Sequence, residues 1–210
     1  MTRLKIIIYL AILVSILGIM GSCAPGPPPS RPGEGLASDG DAMADLIASS
    51  PSDFPLTSPV MQNGGVLPVN FTCDGESLTP PLTWAQAPEG TVSYAILMDH
   101  QPVPGDYHWY WIAFGIPADV DSLPAGAIVP GTLGTNSVND RQEYAPPCSK
   151  GSGEKLYTFH VYALSAVPEI ADPASTDREA LLASIEGITL ATANLNVIFD
   201  RGNPISAEVP

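Results

Sequence analysis

Hydrophobic and polar positions alternate in short segments through the second two-thirds of the chain. Between Leu156 and Leu164, the odd-numbered positions are Tyr, Phe, Val and Ala, whereas the even-numbered ones are Thr, His and Tyr. A period of two is typical of a β-strand that is buried on one face. Five segments rich in β-branched and aromatic residues lie between prolines and glycines and are predicted to be strands: Val66–Thr72, Thr91–Asp99, His108–Ile116, Lys155–Leu164 and Ala191–Phe199.

One segment near the end of the chain has helical spacing instead. Thr176 or Asp177 can cap a helix at its start, and Gly187 can end it. The apolar positions of this helix recur at helical spacing: Ala180, Leu181, Leu182 and Ile185. Many strands, with one short helix before the last of them, predict an all-β fold, a Greek-key-like β-sandwich.

The N-terminus has the pattern of an export signal. An uncharged apolar run, Ile6–Met20, follows Arg3 and Lys5 and is shorter than the roughly 20 residues that cross a membrane. Small residues then precede Cys23, as in a bacterial lipobox. We expect residues 1–22 to be a cleaved signal peptide and Cys23 to carry acyl chains. The alternative is an ordinary signal peptide that is cut nearby, with Cys23 unmodified.

The next segment is poor in residues that could form a core. Proline, glycine, serine and alanine dominate it, with almost no aromatic or β-branched side chains. Such a sequence buries too little apolar area to offset its ordering entropy. We therefore predict a disordered tether over residues 23–53 and one folded domain over residues 54–210.

The charge of the chain excludes some partners. It has 8 basic and 22 acidic residues, a formal net charge of −14, and removal of residues 1–22 leaves 6 basic residues and a charge of −16. Such a surface repels nucleic acid and anionic lipid headgroups. Membrane attachment would therefore depend on the acyl chains, and any site for an anion must be local.

Two of the three cysteines remain after Cys23 is assigned to lipidation. Cys73 and Cys148 can form a disulfide in an oxidising compartment, or they can be two buried free thiols. The export signal favours the disulfide. Closing a loop of about 75 residues would stabilise the fold by roughly 4 kcal/mol on the chain-entropy model.

Five sequence blocks follow one another along the chain. They are FTCDG at Phe71–Gly75, TPPLTW at Thr79–Trp84, PEGT at Pro88–Thr91, HW leading to GIPA at His108–Ala118, and PPC followed by GSG and an aromatic strand at Pro146–Leu164. In this order they resemble the phosphatidylethanolamine-binding protein family, and in particular its bacterial Raf kinase inhibitor-like members. The likeness covers nearly all of residues 60 to 202.

This resemblance implies a small pocket at one end of the sandwich that accepts phosphate-like groups and phospholipid headgroups. By position, Asp99, His108 and Tyr157 correspond to pocket residues of the family. Gln101 replaces a second acid, and Lys155 stands where a second pocket histidine is usual. We expect these five side chains to converge on one anion-binding pocket, in which Lys155 adds a positive charge.

The predicted function is binding and not catalysis, because the sequence has neither a nucleophile elbow nor a phosphate-cradling glycine loop. We expect an exported lipoprotein on the periplasmic or extracellular face of a membrane, with a small anionic ligand and no cofactor. The three histidines lack the spacing of metal ligands. Two alternatives are an inhibitor of an extracytoplasmic protein such as a protease, and a hydrolase in which Asp99 and His108 form an acid/base pair.

Overall fold

The structure, a computed structural model, describes residues 53–151 and 153–202. The predicted signal peptide, Cys23 and all of the predicted tether except residue 53 lie outside this part of the chain. The described fold begins close to Phe54, whose side chain is 2% exposed and belongs to the core. Within the described residues, no helix combines the length and apolar character that a membrane span requires.

Nine strands and one α-helix, α1, make up the regular structure of the described residues, together with two single turns of 3₁₀-helix. The strands are β1 Leu56–Thr57, β2 Gly65–Val66, β3 Leu82–Trp84, β4 Ser93–Val103, β5 Asp106–Pro117, β6 Ser122–Leu123, β7 Thr132–Leu133, β8 Lys155–Leu164 and β9 Thr189–Phe199, and α1 is Arg178–Ile185. They form a three-stranded sheet, β1-β3-β6, and a six-stranded sheet, β2-β9-β8-β4-β5-β7. All strand pairs are antiparallel except β2 with β9. The all-β sandwich prediction is confirmed.

The two faces of the large sheet have different partners because side chains alternate along each strand. On one face, Ile96 of β4 and Phe159 of β8 pack in the main core with Trp84 of the small sheet. On the other face, Leu97 packs in a second core with Leu181 of α1. In β8, the residues with odd numbers from 157 to 163 are all buried and those with even numbers from 156 to 162 are partly exposed, as the sequence pattern predicted.

The helix α1 begins where the sequence indicated. Asp177 is the N-cap residue, and its carboxylate accepts a hydrogen bond of 2.8 Å from the backbone N–H of Ala180. Leu181 and Ile185 are buried against the large sheet. The cap satisfies one of the backbone donors that a helix start leaves unpaired.

One predicted strand, Val66–Thr72, is different in the structure. Only Gly65–Val66 pairs with β9, and Val69–Phe71 form a 3₁₀ turn. Pro68 stands between the two parts, with φ −62°. Because proline has no backbone N–H, it cannot donate to a sheet ladder, and the strand ends before it.

Cys73 and Cys148 form a disulfide with their Cα atoms 5.2 Å apart, which confirms the predicted pairing. The backbone N–H of Cys73 also donates to the carbonyl of Pro147 at 3.1 Å. The link joins the loop after the first 3₁₀ turn to the loop that precedes β8. It therefore restricts the position of the residues that follow Cys148.

Candidate functional site

A cavity of about 390 Å³ lies at the end of the large sheet where the hairpin between β4 and β5 turns. Its walls come from three neighbouring strands and two loops. The lining residues are His100, Pro102, His108, Tyr110, Ser137, Val138, Cys148, Ser149, Lys150 and Lys155. A cavity of this size suits a small ligand better than an extended chain.

Strand alternation brings the polar lining residues to the same face. His100 of β4 and His108 of β5 are cross-strand partners. His100 continues the side of β4 that carries Ile96 and Met98 in the main core, and Lys155 continues the side of β8 that carries Phe159. The cavity is thus an extension of the main core that polar side chains close at the end of the sandwich.

The polar lining is basic. Two histidines and two lysines line the cavity, and the described lining residues include no aspartate or glutamate. The carboxylate of Asp106 lies 4.0 Å from His108 Nε2, in a pair whose side chains are more than half exposed. Such an exposed pair contributes little. Two lysine side chains that line one cavity, in a chain of net charge −14, are the arrangement that an anion site requires.

The imidazole of His100 is held in one orientation. Its Nδ1 lies 2.7 Å from the carbonyl oxygen of Leu156. Because a carbonyl only accepts hydrogen bonds, Nδ1 must carry a proton, and in the neutral ring Nε2 is then an acceptor. Burial lowers the pKa of His100, the charges of His108 and Lys155 lower it further, and the bond to Leu156 and the charge of Asp99 act in the opposite direction.

Tyr157 lies behind the residues that line the cavity and packs against two of them. Its side chain is fully buried, and its ring centroid lies 5.2 Å from those of both His100 and Tyr110. Its hydroxyl is 3.3 Å from Ser149 Oγ. Burial raises the pKa of Tyr157, so the hydroxyl keeps its proton at neutral pH. Tyr157 therefore holds the lining rings and Ser149 in place.

The structure brings together three of the five predicted site residues. His108 and Lys155 line the cavity, and Tyr157 lies directly behind the lining residues. Gln101 is exposed and is not one of the lining residues. Ligand binding by these side chains stays a prediction.

Asp99 lies on the opposite face of the large sheet, away from the cavity, which differs from the expected convergence. Its carboxylate accepts hydrogen bonds from Arg178 Nε at 2.8 Å and His160 Nε2 at 3.2 Å. Burial opposes its ionisation, but these two partners outweigh burial and lower the pKa of Asp99. The guanidinium of Arg178 also lies 3.5 Å from the ring centroid of Tyr107. Asp99 thus fixes the first residue of α1 to the sheet.

Several lining residues were absent from the predicted site, among them His100, Ser149 and Lys150. The sequence does contain information that bears on His100. Adjacent residues of a strand face opposite sides, so Asp99 and His100 cannot both point into one pocket. It contains none that bears on Ser149 and Lys150, because a loop has no period and their placement depends on the disulfide at Cys148.

Comparison with known proteins agrees with the sandwich architecture described above. The fold is all-β, and among the described residues one α-helix packs against the face of the larger sheet that points away from the smaller sheet. The family model described as "Phosphatidylethanolamine-binding protein" matches residues 57–200. The chain belongs to this family.

Several relatives are similar over most of the folded part. A UPF0098 protein of Methanothermobacter thermautotrophicus is 32% identical over 152 residues, which cover 70% of this chain and 99% of the relative. LppC, a candidate lipoprotein of Mycobacterium tuberculosis, is 33% identical over 123 residues, 57% of this chain and 61% of the relative. The crystal structure of Escherichia coli YbcL, described as a member of the mammalian PEBP family, has a TM-score of 0.65 at 26% identity and covers 71% of this chain and 99% of its own.

Proposed function

We propose that this chain is an exported, lipid-anchored binding protein that holds a small anionic ligand, such as phosphate or a phosphorylated headgroup, in the cavity at the end of the sandwich. The observation that carries the proposal is the pair of lysines, Lys150 and Lys155, which line the cavity beside two histidines and without a lining carboxylate among the described residues. The family name and the candidate lipoprotein among its relatives support it.

The chemistry of the lining suits an oxyanion. Lysine ammonium groups and imidazole N–H groups donate charge-assisted hydrogen bonds to oxyanions. Lys155 is the first residue of β8. Its Nζ lies 3.5 Å from the backbone carbonyl oxygen of Lys150. The Lys155 ammonium therefore lies beside the backbone of Lys150, and both lysines line the cavity.

Attachment to the membrane rests on a separate argument. The uncharged run Ile6–Met20 and the small residues before Cys23 indicate export followed by acylation. Acyl chains would hold the domain at a membrane despite its strong negative charge. This location gives the binding protein access to ligands on the outer side of the membrane.

The test is calorimetric titration with inorganic phosphate at pH 6 and pH 8, on the wild type and on Lys155→Ala. Loss of one charge-assisted contact is expected to weaken binding about tenfold or more. The loss should persist at pH 8, because a lysine ammonium stays charged where a histidine with an ordinary pKa near 6.5 does not.

Arg141→Ala is the matched control, because it also removes one positive charge. The Arg141 side chain is 72% exposed, pairs loosely with Glu143 and does not line the cavity. It should bind phosphate as the wild type does. Equal affinity of Lys155→Ala and wild type would contradict the role of Lys155, and absence of binding of both phosphate and O-phosphoethanolamine to the wild type would contradict the proposed function.

A further inference from the structure

His100 differs from the other basic residues of the cavity, because the structure dictates which of its nitrogens a ligand meets. Nδ1 is occupied by the carbonyl of Leu156 at 2.7 Å. Among the described residues, Nε2 has no hydrogen-bond partner, and the ring lines the cavity. A neutral His100 therefore presents a hydrogen-bond acceptor, while Lys150 and Lys155 present donors.

We propose that His100 selects the ligand by accepting a hydrogen bond from it at Nε2, so that the cavity prefers an oxyanion with a hydrogen-bond donor of its own, such as hydrogenphosphate, over an oxyanion without one, such as sulfate. This inference rests on the proposed function, since it concerns the same cavity. It goes beyond that function because it defines the class of ligand: an anion that also donates.

The surroundings of His100 keep the ring neutral above mildly acidic pH. Burial lowers its pKa, and the positive charges of His108 on β5 and Lys155 on β8 act in the same direction. The bond to Leu156 and the charge of Asp99 oppose this change but are outweighed. Three further groups face the ring or the same cavity: Tyr157 and Tyr110, whose pKa values burial raises so that both stay uncharged, and the ammonium of Lys150.

A comparison of hydrogenphosphate with sulfate measures the effect of His100 Nε2 as a hydrogen-bond acceptor. At pH 8 both anions are tetrahedral and carry two negative charges, so Lys150 and Lys155 attract them equally. Hydrogenphosphate has one O–H group, which can donate to His100 Nε2, whereas sulfate has none and leaves the acceptor against a negative oxygen. A site built around a hydrogen bond rejects analogues that cannot form it.

The experiment is competition calorimetry at pH 8 on the full chain with sulfate and inorganic phosphate. We expect sulfate to bind at least about tenfold more weakly than phosphate. His100→Phe keeps an aromatic ring against Tyr157 but removes the acceptor, and it should reduce the phosphate-to-sulfate preference to near one. Arg141→Ala should keep the wild-type preference. The wild-type ratio alone decides the matter if His100→Phe does not fold.

A second pair of ligands identifies the source of the donor. O-phosphoethanolamine and methyl phosphate both have a dianionic phosphate at pH 8, but only phosphoethanolamine has an ammonium donor. Preference for phosphoethanolamine, lost in His100→Phe, would indicate a lipid headgroup, and preference for hydrogenphosphate over both esters would indicate free phosphate. Equal binding within both pairs would overturn the role of His100 and leave the proposed function intact. No binding of any of the four would overturn both.

Discussion

Asp99 and Arg178 form an ion pair that is shielded from solvent between the large sheet and α1. Their side chains are 6% and 15% exposed, and His160 adds a second partner to the carboxylate. Burial disfavours both charges, but each one is compensated by the other, and the pKa of Arg178 is raised by Asp99. Removing one partner of such a pair leaves the other charge buried without compensation.

Asp99→Asn should therefore destabilise the fold by about 3 to 5 kcal/mol at pH 7. The cavity lies on the opposite face of the sheet, so phosphate affinity should be unchanged. Urea unfolding followed by tryptophan fluorescence measures the first quantity, and calorimetry measures the second. Asp106→Asn is the control, because this carboxylate is exposed and its removal should change stability by less than about 1 kcal/mol. Weaker phosphate binding in Asp99→Asn would contradict the placement of Asp99 outside the cavity.

The same carboxylate makes stability depend on pH in a defined direction. The pKa of Asp99 is lowered in the folded protein, whereas an unfolded aspartate has a pKa of about 3.9. The stabilisation is therefore fully present above about pH 4 and is lost as pH falls through the lower, folded value. The stability gap between wild type and Asp99→Asn should shrink below about pH 4. A gap that is constant from pH 7 to pH 2 would contradict this linkage.

The residues of the site could be predicted from sequence only in part. His108, Lys155 and Tyr157 were placed by motif order, and all three lie in or directly behind the cavity wall. Asp99 and His100 are neighbours on β4 and face opposite sides. Motif alignment identifies a position along the strand but not the face, which depends on the packing of the whole sheet.

At the level of elements, long strands and the helix were predictable because their periods are strong. The segment Lys155–Leu164 was predicted with the bounds that β8 has in the structure. The two-residue strands, such as β6 and β7, are too short to show a period and depend on their neighbours for pairing. Pro68 divided one predicted strand by a purely local effect.

The disulfide at Cys148 affects both the stability of the fold and the position of the cavity lining. Cys148, Ser149 and Lys150 are consecutive lining residues, and Cys148 is bonded to Cys73 across 75 residues. A disulfide restricts the unfolded chain, and this one also fixes where the lining begins. Its loss should affect both melting and binding.

The double variant Cys73→Ser/Cys148→Ser should melt roughly 10 °C below the wild type, because about 4 kcal/mol of chain-entropy stabilisation is lost in a domain of this size. Phosphate affinity should also fall, since Ser149 and Lys150 are no longer held. Scanning calorimetry and titration calorimetry measure the two effects. Reductant should lower the melting temperature of the wild type but not that of the double variant. Unchanged melting of the wild type after thiol titration has established reduction would contradict the argument.

At the scale of the whole molecule, an acidic chain surrounds a basic cavity. The net charge of −14 opposes the approach of anions over long distances, whereas the lining attracts them at close range. Lowering the ionic strength should therefore strengthen phosphate binding less than it would strengthen binding to the same cavity in a protein without net charge. The same negative charge cannot hold the protein at an anionic membrane, so the proposed attachment depends on acyl chains.

Cys23→Ser should release the protein from the membrane fraction without changing the stability of the folded domain. Acyl chains on Cys23 are the proposed attachment, and the described core begins only at Phe54, so no core contact is expected to be lost. Cell fractionation, mass spectrometry of the N-terminal peptide and thermal melting of the released protein provide the measurements. The variant Cys73→Ser/Cys148→Ser, which replaces the other two cysteines but keeps Cys23, should stay with the membrane. Release of that variant, an unmodified Cys23 in the native protein, or a lower melting temperature of Cys23→Ser would each contradict the proposed anchor and tether.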